Sequence, residues 1–405
     1  MAGAEQPLTL HCPGSKSMTQ RALLIAALAE APVQLDGALE CDDSRHLTAL
    51  LRELGVRIEW EGARVRVDPP AELRSTGQPL YVGNAGTAMR FASCLALVVD
   101  GALQLDGDAR MRERPIGPLV GALAQLGVQA RYLGREGCPP VVLQRGAAAI
   151  GTRVTIDASQ SSQYASGLLL VGPRLPAGLE LTLSGPAVSL PYLQMTAEMM
   201  RRAGADVRWI SSGRLLVGRQ PYRTTHVAVE PDWSTAAFLL AAGELLRRPL
   251  HIPGLVDIAH SLQGDAIFVE LLEELRRPQP HHIDLAPTPD LIAPLAALAS
   301  FASHPTTITG VAHARIKESD RIAVLCQQLA RAGIEVTERL DGLVIHPWRG
   351  AAHAPVTLEP ANDHRMAMAF GLLSLRLEHI TVAEPDCVAK SFPQFWDVLA
   401  QLRGA

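Results

Sequence analysis

None of the six cysteines, Cys12, Cys41, Cys94, Cys138, Cys326 and Cys387, stands in a C-x-x-C pair. That leaves no thiol cluster for zinc or for dithiol redox chemistry, and the thiols, several in apolar stretches such as Ser93-Cys94-Leu95, read as reduced core residues. Charge is also sparse. Only 19% of residues are charged and the net charge is −4, which argues against a nucleic-acid face, because such a face makes its domain basic. Long apolar runs are missing too. The longest, 291–302, is too short and too interrupted to span a bilayer. No basic segment and apolar run open the chain, so no signal peptide is expected and the cytoplasm is the default. Phosphate-loop and dinucleotide signatures fail as well. Gly14-Ser15-Lys16-Ser17 lacks a lysine directly after the second glycine of a Walker motif, and no G-x-G-x-x-G follows a strand. There is no H-E-x-x-H pair and no serine nucleophile elbow. His281-His282, flanked by prolines, reads as a solvated loop rather than a ligand pair. An enzyme built from this chain is therefore expected to use acid–base and electrostatic catalysis, with no cofactor and no metal.

What the chain does have is length and repetition. At 405 residues, 48% of them hydrophobic, it exceeds the size at which one core keeps growing, and two domains are expected. Residues 47–58 resemble 119–130, and the same shape returns at 196–207 and 324–336. In each, Leu, Ala or Met recurs at helical spacing, a glycine stops the helix, and an alternating strand follows. In three of the four, that strand turns tightly into another. The glycines Gly55, Gly127, Gly204 and Gly333 stand 72, 77 and 129 residues apart. A degenerate helix at 266–276 fills the wide gap, and a sixth at 392–402 closes the chain. A second set of helices interleaves with these at 17–28, 87–98, 163–171, 234–245, 291–302 and 364–375; being apolar all round, they belong inside. Six units divide into two domains of three, each unit pairing a buried and a surface helix with a sheet.

The first turns of these helices are polar. The buried set opens at Lys16-Ser17, Asn84-Ala-Gly86-Thr87, Ser161-Ser162-Gln163, Asp232-Trp-Ser234, Pro289-Asp290 and Asn362-Asp363-His364-Arg365, and the surface set at Arg114-Pro115, Ser189 to Tyr192, Lys317 to Arg321 and Lys390-Ser391. Capping accounts for many of these, Ser234 and Asp320 among them, and Asp290 could cap its own helix through the backbone of Ile292 or Ala293. It does not account for the cations. Lys16, Arg114, Lys317, Arg321, Arg365 and Lys390 would sit where the helix dipole disfavours positive charge, so anionic ligands, phosphates or carboxylates, are expected to offset them.

In order along the whole chain, Pro13-Gly-Ser-Lys-Ser17 with Arg21, Asn84-Ala-Gly-Thr-Ala-Met-Arg90, Arg112-Glu-Arg-Pro-Ile116, Ser161-Ser-Gln163, Ser189-Leu-Pro-Tyr192, Ile316-Lys-Glu-Ser-Asp-Arg321, Asn362-Asp-His-Arg-Met-Ala-Met368 and Ala389-Lys-Ser-Phe-Pro393 resemble the 5-enolpyruvylshikimate-3-phosphate synthase family. The resemblance implies a two-domain inside-out α/β barrel, each domain built of three repeated units with buried parallel helices and surface sheets. It implies transfer of the carboxyvinyl group of phosphoenolpyruvate to a hydroxyl of shikimate 3-phosphate, with release of phosphate, by a cytoplasmic monomer without nucleic-acid or membrane partners. Residues 15–229 would form the domain that mainly holds shikimate 3-phosphate. Residues 1–14 with 230–405 would form the other, and the active site would lie in the cleft between them, with hinges near Pro13-Gly14 and Glu230-Pro231. By the same resemblance Lys16, Asn84, Gly86, Thr87, Arg90, Arg114, Gln163, Arg321, His364, Arg365 and Lys390 hold phosphoenolpyruvate. Lys16, Ser17, Arg21, Ser161, Ser162, Gln163, Ser189, Tyr192, Asp290, His313 and Lys317 hold shikimate 3-phosphate. Asp290 and Glu318 are the implied proton-transfer pair, with Lys16 beside them, and glyphosate is an implied inhibitor. His313, Leu190 and Phe91 depart from the residues frequent at those places.

Related families fit less well. UDP-N-acetylglucosamine enolpyruvyl transferases carry a reactive cysteine ahead of their Arg-Pro motif, and 106–114 contains none. RNA 3′-phosphate cyclases conflict with the acidic balance. A catalytically silent metabolite-binding paralogue would be expected to lose Lys16, Asp290, Glu318 or Lys390, all of which are present.

Overall fold

The four repeat glycines mark where the chain changes direction. Gly55, Gly127, Gly204 and Gly333 have φ of 95°, 93°, 92° and 79°, each one residue past a helix cap, in a backbone region where a side chain costs about 1 kcal/mol or more. The computed structural model describes residues 7–147, 150–350 and 354–404. They fall into two compact units. The central unit is Gly14–Val229; the split unit joins the residues up to Pro13 to those from Glu230 onward.

The central unit contains α1 (Lys16–Ala27), α2 (Asp42–Glu53), α3 (Gly86–Leu95), α4 (Gly117–Gln125), α5 (Ser162–Val171) and α6 (Leu190–Arg202). The split unit contains α7 (Trp233–Leu246), α8 (Phe268–Leu275), α9 (Ile292–Ala299), α10 (Arg321–Arg331), α11 (His364–Leu373) and α12 (Phe395–Gly404). Odd-numbered helices are the inner ones. Every residue of α3, α9 and α11 is buried, and in each unit the three odd helices pack on one another. Even-numbered helices bury one stripe only, as α2 does with Leu47, Leu50 and Leu51, and lie outside them.

The sheets repeat as faithfully as the helices. Four of them share one topology, a parallel pair extended by an antiparallel hairpin. Val33–Asp36 runs parallel to His226–Ala228 and antiparallel to Arg64–Asp68, which pairs with Arg57–Glu61. The sheets around Leu103–Asp106, Leu179–Ser184 and Thr306–Thr309 are built alike. The other two repeats, both in the split unit, keep only the parallel pair, Leu8–Thr9 with Leu250–His251 and Val356–Leu358 with Ile380–Val382. Among the described residues these are six separate sheets, so they do not close into a single barrel.

One expectation fails here. His281 and His282 lie in a strand, His281–Asp284, not a loop. Strand alternation turns His281 inward, 1% exposed, and His282 outward. The cysteines are all free thiols, four of them buried.

The chain's two passages into the split unit are tied down locally. Asp232 N donates to Pro13 O at 2.8 Å. The Glu230 carboxylate accepts from Ser261 Oγ (2.6 Å), Leu262 N (3.1 Å) and Gln263 Nε2 (3.1 Å).

Candidate active site

In the central unit, α1 starts under a Ser15 cap, whose Oγ accepts from Met18 N, and Lys16 is its first residue. Lys16 Nζ lies 3.0 Å from Asp43 Oδ2, with the two side chains 12% and 4% exposed. Ser17 follows, and its carbonyl accepts from Arg21 Nη1 at 2.9 Å. Arg21 is 2% exposed and, among the described residues, holds only neutral partners otherwise: Thr196 Oγ1 (2.6 Å), Ser166 Oγ (3.3 Å) and the Tyr192 carbonyl (3.4 Å). Phe91, one of the departures, lies under it at 5.5 Å from the ring centroid. Burial pulls the guanidinium down to about 10, so it stays charged at neutral pH. A buried cation without a carboxylate is costly, and it is the plainest sign in this unit of an anionic guest.

The first turns of α3 and α5 meet. Gln163 Nε2 donates to Thr87 Oγ1 at 3.0 Å, and Ser161 Oγ caps α5 by accepting from Gln163 N; Ser162 begins the helix. Because these two helices pack together and also start together, they run parallel. Arg90 Nη1 donates to Gly86 O (3.0 Å) and Nη2 to Pro115 O (3.2 Å), while Arg114 Nη1 donates to the Asn84 carbonyl (3.0 Å) and Oδ1 (2.9 Å). A Cβ on Gly86 would stand 2.5 Å from Arg114 Nη2 and 2.6 Å from Arg90 Nη1. Glycine there lets two guanidinia close over the helix start. Ser189, the residue before α6, has φ 54° and ψ 37°, a left-handed backbone that non-glycine residues adopt at a cost. Tyr192 enters through its carbonyl, as above, and Leu190 is the first residue of α6.

In the split unit, charges of both signs are interleaved. Asp290 lies in the short turn Pro289–Leu291 ahead of α9, whose N-cap position is held by Leu291. Its Oδ1 accepts from Arg321 Nη1 (2.8 Å) and its Oδ2 from Arg365 Nη2 (3.0 Å). Burial alone would raise its pKa; the charges of Arg365, Lys317 and Arg321 outweigh that and hold it well below the usual carboxylate range. Arg321, first residue of α10 and 1% exposed, also donates to Glu318 Oε2 (2.9 Å) and to Asp363 through Nε (2.8 Å) and Nη2 (3.4 Å). The Asp290–Arg365 bond joins the starts of α9 and α11, so these inner helices too run parallel. His313 is 6% exposed, and its Nε2 has no hydrogen-bond partner among the described residues. Burial, then Lys317, lowers it to about 4, so the ring is neutral at neutral pH. His364 opens α11, buried, and Lys390 is 8% exposed.

The helix-start argument needs correction. Lys16, Arg321 and Arg365 do occupy first turns. Arg114 and Lys317 instead end the short helices Met111–Glu113 and Ala312–Ile316, and Lys390 ends the turn Pro385–Lys390, where a cation is favoured. Ser234 is not a cap either. Asp232 caps α7 through Thr235 N, and Ser234 donates to the buried Asp265. Asp320 does cap α10. Sequence reasoning also missed two acids that hold the cations, Asp43 and Asp363; both stand at helix starts, where an acid reads as an ordinary cap.

The two units end their inner helices differently. In the central unit the residues before α1, α3 and α5 are Ser15, Ala85 and Ser161, all neutral. In the split unit Asp232 and Asp363 cap α7 and α11, and Asp290 precedes α9. The first arrangement leaves helix dipoles and arginines for an outside anion; the second has carboxylates built in, beside arginines that set their ionisation. Among the described residues no helix is long and apolar enough to cross a membrane, and no group of acids, histidines or cysteines is placed to hold a metal.

Known proteins match this arrangement along its whole length. The family described as EPSP synthase (3-phosphoshikimate 1-carboxyvinyltransferase) matches residues 3–399. A 3-phosphoshikimate 1-carboxyvinyltransferase of Pseudomonas syringae pv. tomato is 37% identical, over 98% of this chain and 96% of its own. One from Rhizobium etli is 38% identical over 96% and 93%. The structure of EPSP synthase from Acinetobacter baumannii superposes with a TM-score of 0.75 at 25% identity, covering 97% of this chain and 95% of its own. The chain belongs to the EPSP synthase family.

Proposed function

We infer that the chain is a 3-phosphoshikimate 1-carboxyvinyltransferase, moving the carboxyvinyl group of phosphoenolpyruvate to the 5-hydroxyl of shikimate 3-phosphate and releasing phosphate, in aromatic amino-acid biosynthesis. The observation that carries the reading at residue level is Arg21, a buried charge with no carboxylate partner among the described residues, held by hydroxyl groups and backbone carbonyls. With Lys16, Ser17, Ser161, Ser162, Gln163, Ser189 and Tyr192 it suits an anionic polyol such as shikimate 3-phosphate, and Lys317, Asp290 and His313 supply the split unit's share. Arg90, Arg114, Arg365, His364 and Lys390, with Asn84, Gly86 and Thr87, suit phosphoenolpyruvate. Arg321 gives four of its five N–H contacts to carboxylates, which leaves one at Nη1 for a ligand oxygen.

Addition of an alcohol across the double bond of an enol phosphate puts a proton on the methylene carbon while the hydroxyl loses one; elimination then takes a proton back from the methyl carbon and breaks the C–O bond to phosphate, which leaves with the electron pair. Asp290, kept ionised, is the base for the hydroxyl. Glu318, on the same guanidinium, delivers the proton to carbon. Cations stabilise charge on the departing phosphate. A monomer working in the cytoplasm completes the reading. Phosphate release that requires both substrates tests it, and release with phosphoenolpyruvate alone would overturn it.

A further inference from the structure

We propose that Asp363 is a positioning residue that sets the geometry and proton affinity of the Asp290–Glu318 pair by acting through Arg321; this rests on the proton-transfer reading above. Asp363 is wholly buried at 0% exposure and saturated. Its Oδ1 caps α11 by accepting from Arg365 N (3.0 Å). Its Oδ2 accepts from Ser319 Oγ (3.0 Å) and Arg321 Nε (2.8 Å), and Nη2 of the same guanidinium reaches Oδ1 at 3.4 Å. Asp363 thus grips one edge of the guanidinium as a fork. The remaining donors face forward, Nη1 to Asp290 Oδ1 and Nη2 to Glu318 Oε2. One planar cation fixes the spacing of two carboxylates, and a third carboxylate fixes the cation from behind.

That third charge also acts electrostatically. Arg321 favours the ionised forms of Asp290 and Glu318, and the Asp363 charge behind it opposes them. Glu318 has to carry a proton to donate it, so a bare Arg321 would strip the donor. The backbone is committed to the arrangement: Ala361 and Asn362, directly before Asp363, both sit in the left-handed region at φ 54° and 53°.

Other charges meet the cluster. From α11 itself come His364, with Nδ1 3.6 Å from Asp363 Oδ1, and Arg365. From the turn Pro385–Lys390, which packs on α11, come Asp386, Cys387 and Lys390. Burial and then the Asp363 charge push the Cys387 thiol up to about 12. Lys317 and Arg365 act on Asp290.

The test is the pH profile of kcat for the full-length Asp363→Ser protein, which keeps a capping oxygen and loses the charge. We expect kcat to fall about tenfold or more, and its basic limb, set by the protonated donor, to move to lower pH by about one unit. The dissociation constant for shikimate 3-phosphate should stay within about twofold, since most of the residues proposed to hold it lie in 14–229. A residue that only caps α11 predicts near-normal kcat, or a fall with an unmoved limb; either result overturns the proposal. Should Asp363→Ser fail to fold, Asp363→Asn, matched in shape, carries the same expectation. Phosphate release by the parent protein in the same assay decides the reaction itself, while the limb shift decides Asp363.

Discussion

At the residue scale, cations and their partners were unequally legible. Lys16 and Arg365 stood out in the sequence because positive charge at a helix start is out of place. Asp43 did not, because its role depends on a partner on another helix. The structure therefore splits one expectation in two. Lys16→Met should lower turnover by about a hundredfold or more through lost charge-assisted contacts to substrate. It should also destabilise the fold by about 2 kcal/mol, since Asp43 stays buried without its lysine. Adding Asp43→Asn should restore the melting temperature and leave activity lost; recovery of activity would remove Lys16 from the anion site.

Gly86→Ala should raise the glyphosate inhibition constant more than the Michaelis constant for phosphoenolpyruvate, as the larger ligand has less room beside displaced guanidinia. Both constants should move, because the added methyl meets Arg114 and Arg90 directly. Inhibition kinetics on the purified variant check it, and equal changes would discard the steric account. The proton-transfer pair separates by assay. Asp290→Ala should lose turnover and weaken shikimate 3-phosphate binding. Glu318→Ala should spare that binding and suppress solvent deuterium entry into the methylene group, by about a hundredfold or more.

His313 was noticed in the sequence as a departure and as an implied shikimate 3-phosphate contact; its effect on stability needed the burial to be known. A histidine lowered to about 4 from about 6.5 binds its proton more readily when unfolded. Stability should therefore be full above about pH 6.5 and fall as pH drops toward 4. His313→Asn should flatten that window. The depressed Asp290 acts in the same direction but below about pH 4, where an unfolded aspartate first takes its proton. Denaturant midpoints across pH 4–7 separate the two.

At the scale of elements, the helices could be read because stop glycines and apolar faces are local signals. The six inner helices come out within a few residues of their observed ends, whereas the outer repeats read from 47 and 196 miss the first turn or more of α2 and α6, which start at Asp42 and Leu190. The sheets were less legible. A hairpin after Gly55 or Gly333 announces itself by alternation, whereas the two-residue strand Leu8–Thr9 exists only because Leu250–His251 pairs with it. His281 was misread for the same reason: its burial comes from a neighbouring strand, Thr306–Thr309. Strain before α11 gives a prediction at this scale. Ala361 has φ 54°, so Ala361→Gly should be tolerated and raise stability by about 0.5–1 kcal/mol in denaturant melts. A loss of stability would mean that the methyl packs more usefully than the backbone strains.

On the scale of the whole molecule, the two units differ in what they ask of a ligand. Neutral helix caps and a buried Arg21 make the central unit electrostatically incomplete, while the aspartates at the starts of α7, α9 and α11 largely neutralise the split unit from within. Repetition was plain in the sequence; this division of charge was not, because it rests on which acid meets which base in space.

The pairing of Leu8 with Leu250 also has a consequence for synthesis. As the ribosome releases the chain, the first strand emerges with no partner, and everything from Gly14 to Val229 follows before one exists. The central unit has all its elements in one uninterrupted stretch, so it can fold while the rest is still being made. The opening residues must wait through that time unpaired, and joining them is a long-range step of the slow kind. Released chains truncated near residue 240 should thus hold a protease-resistant central unit and a cleavable start. Chains extended past Gly404 should protect both.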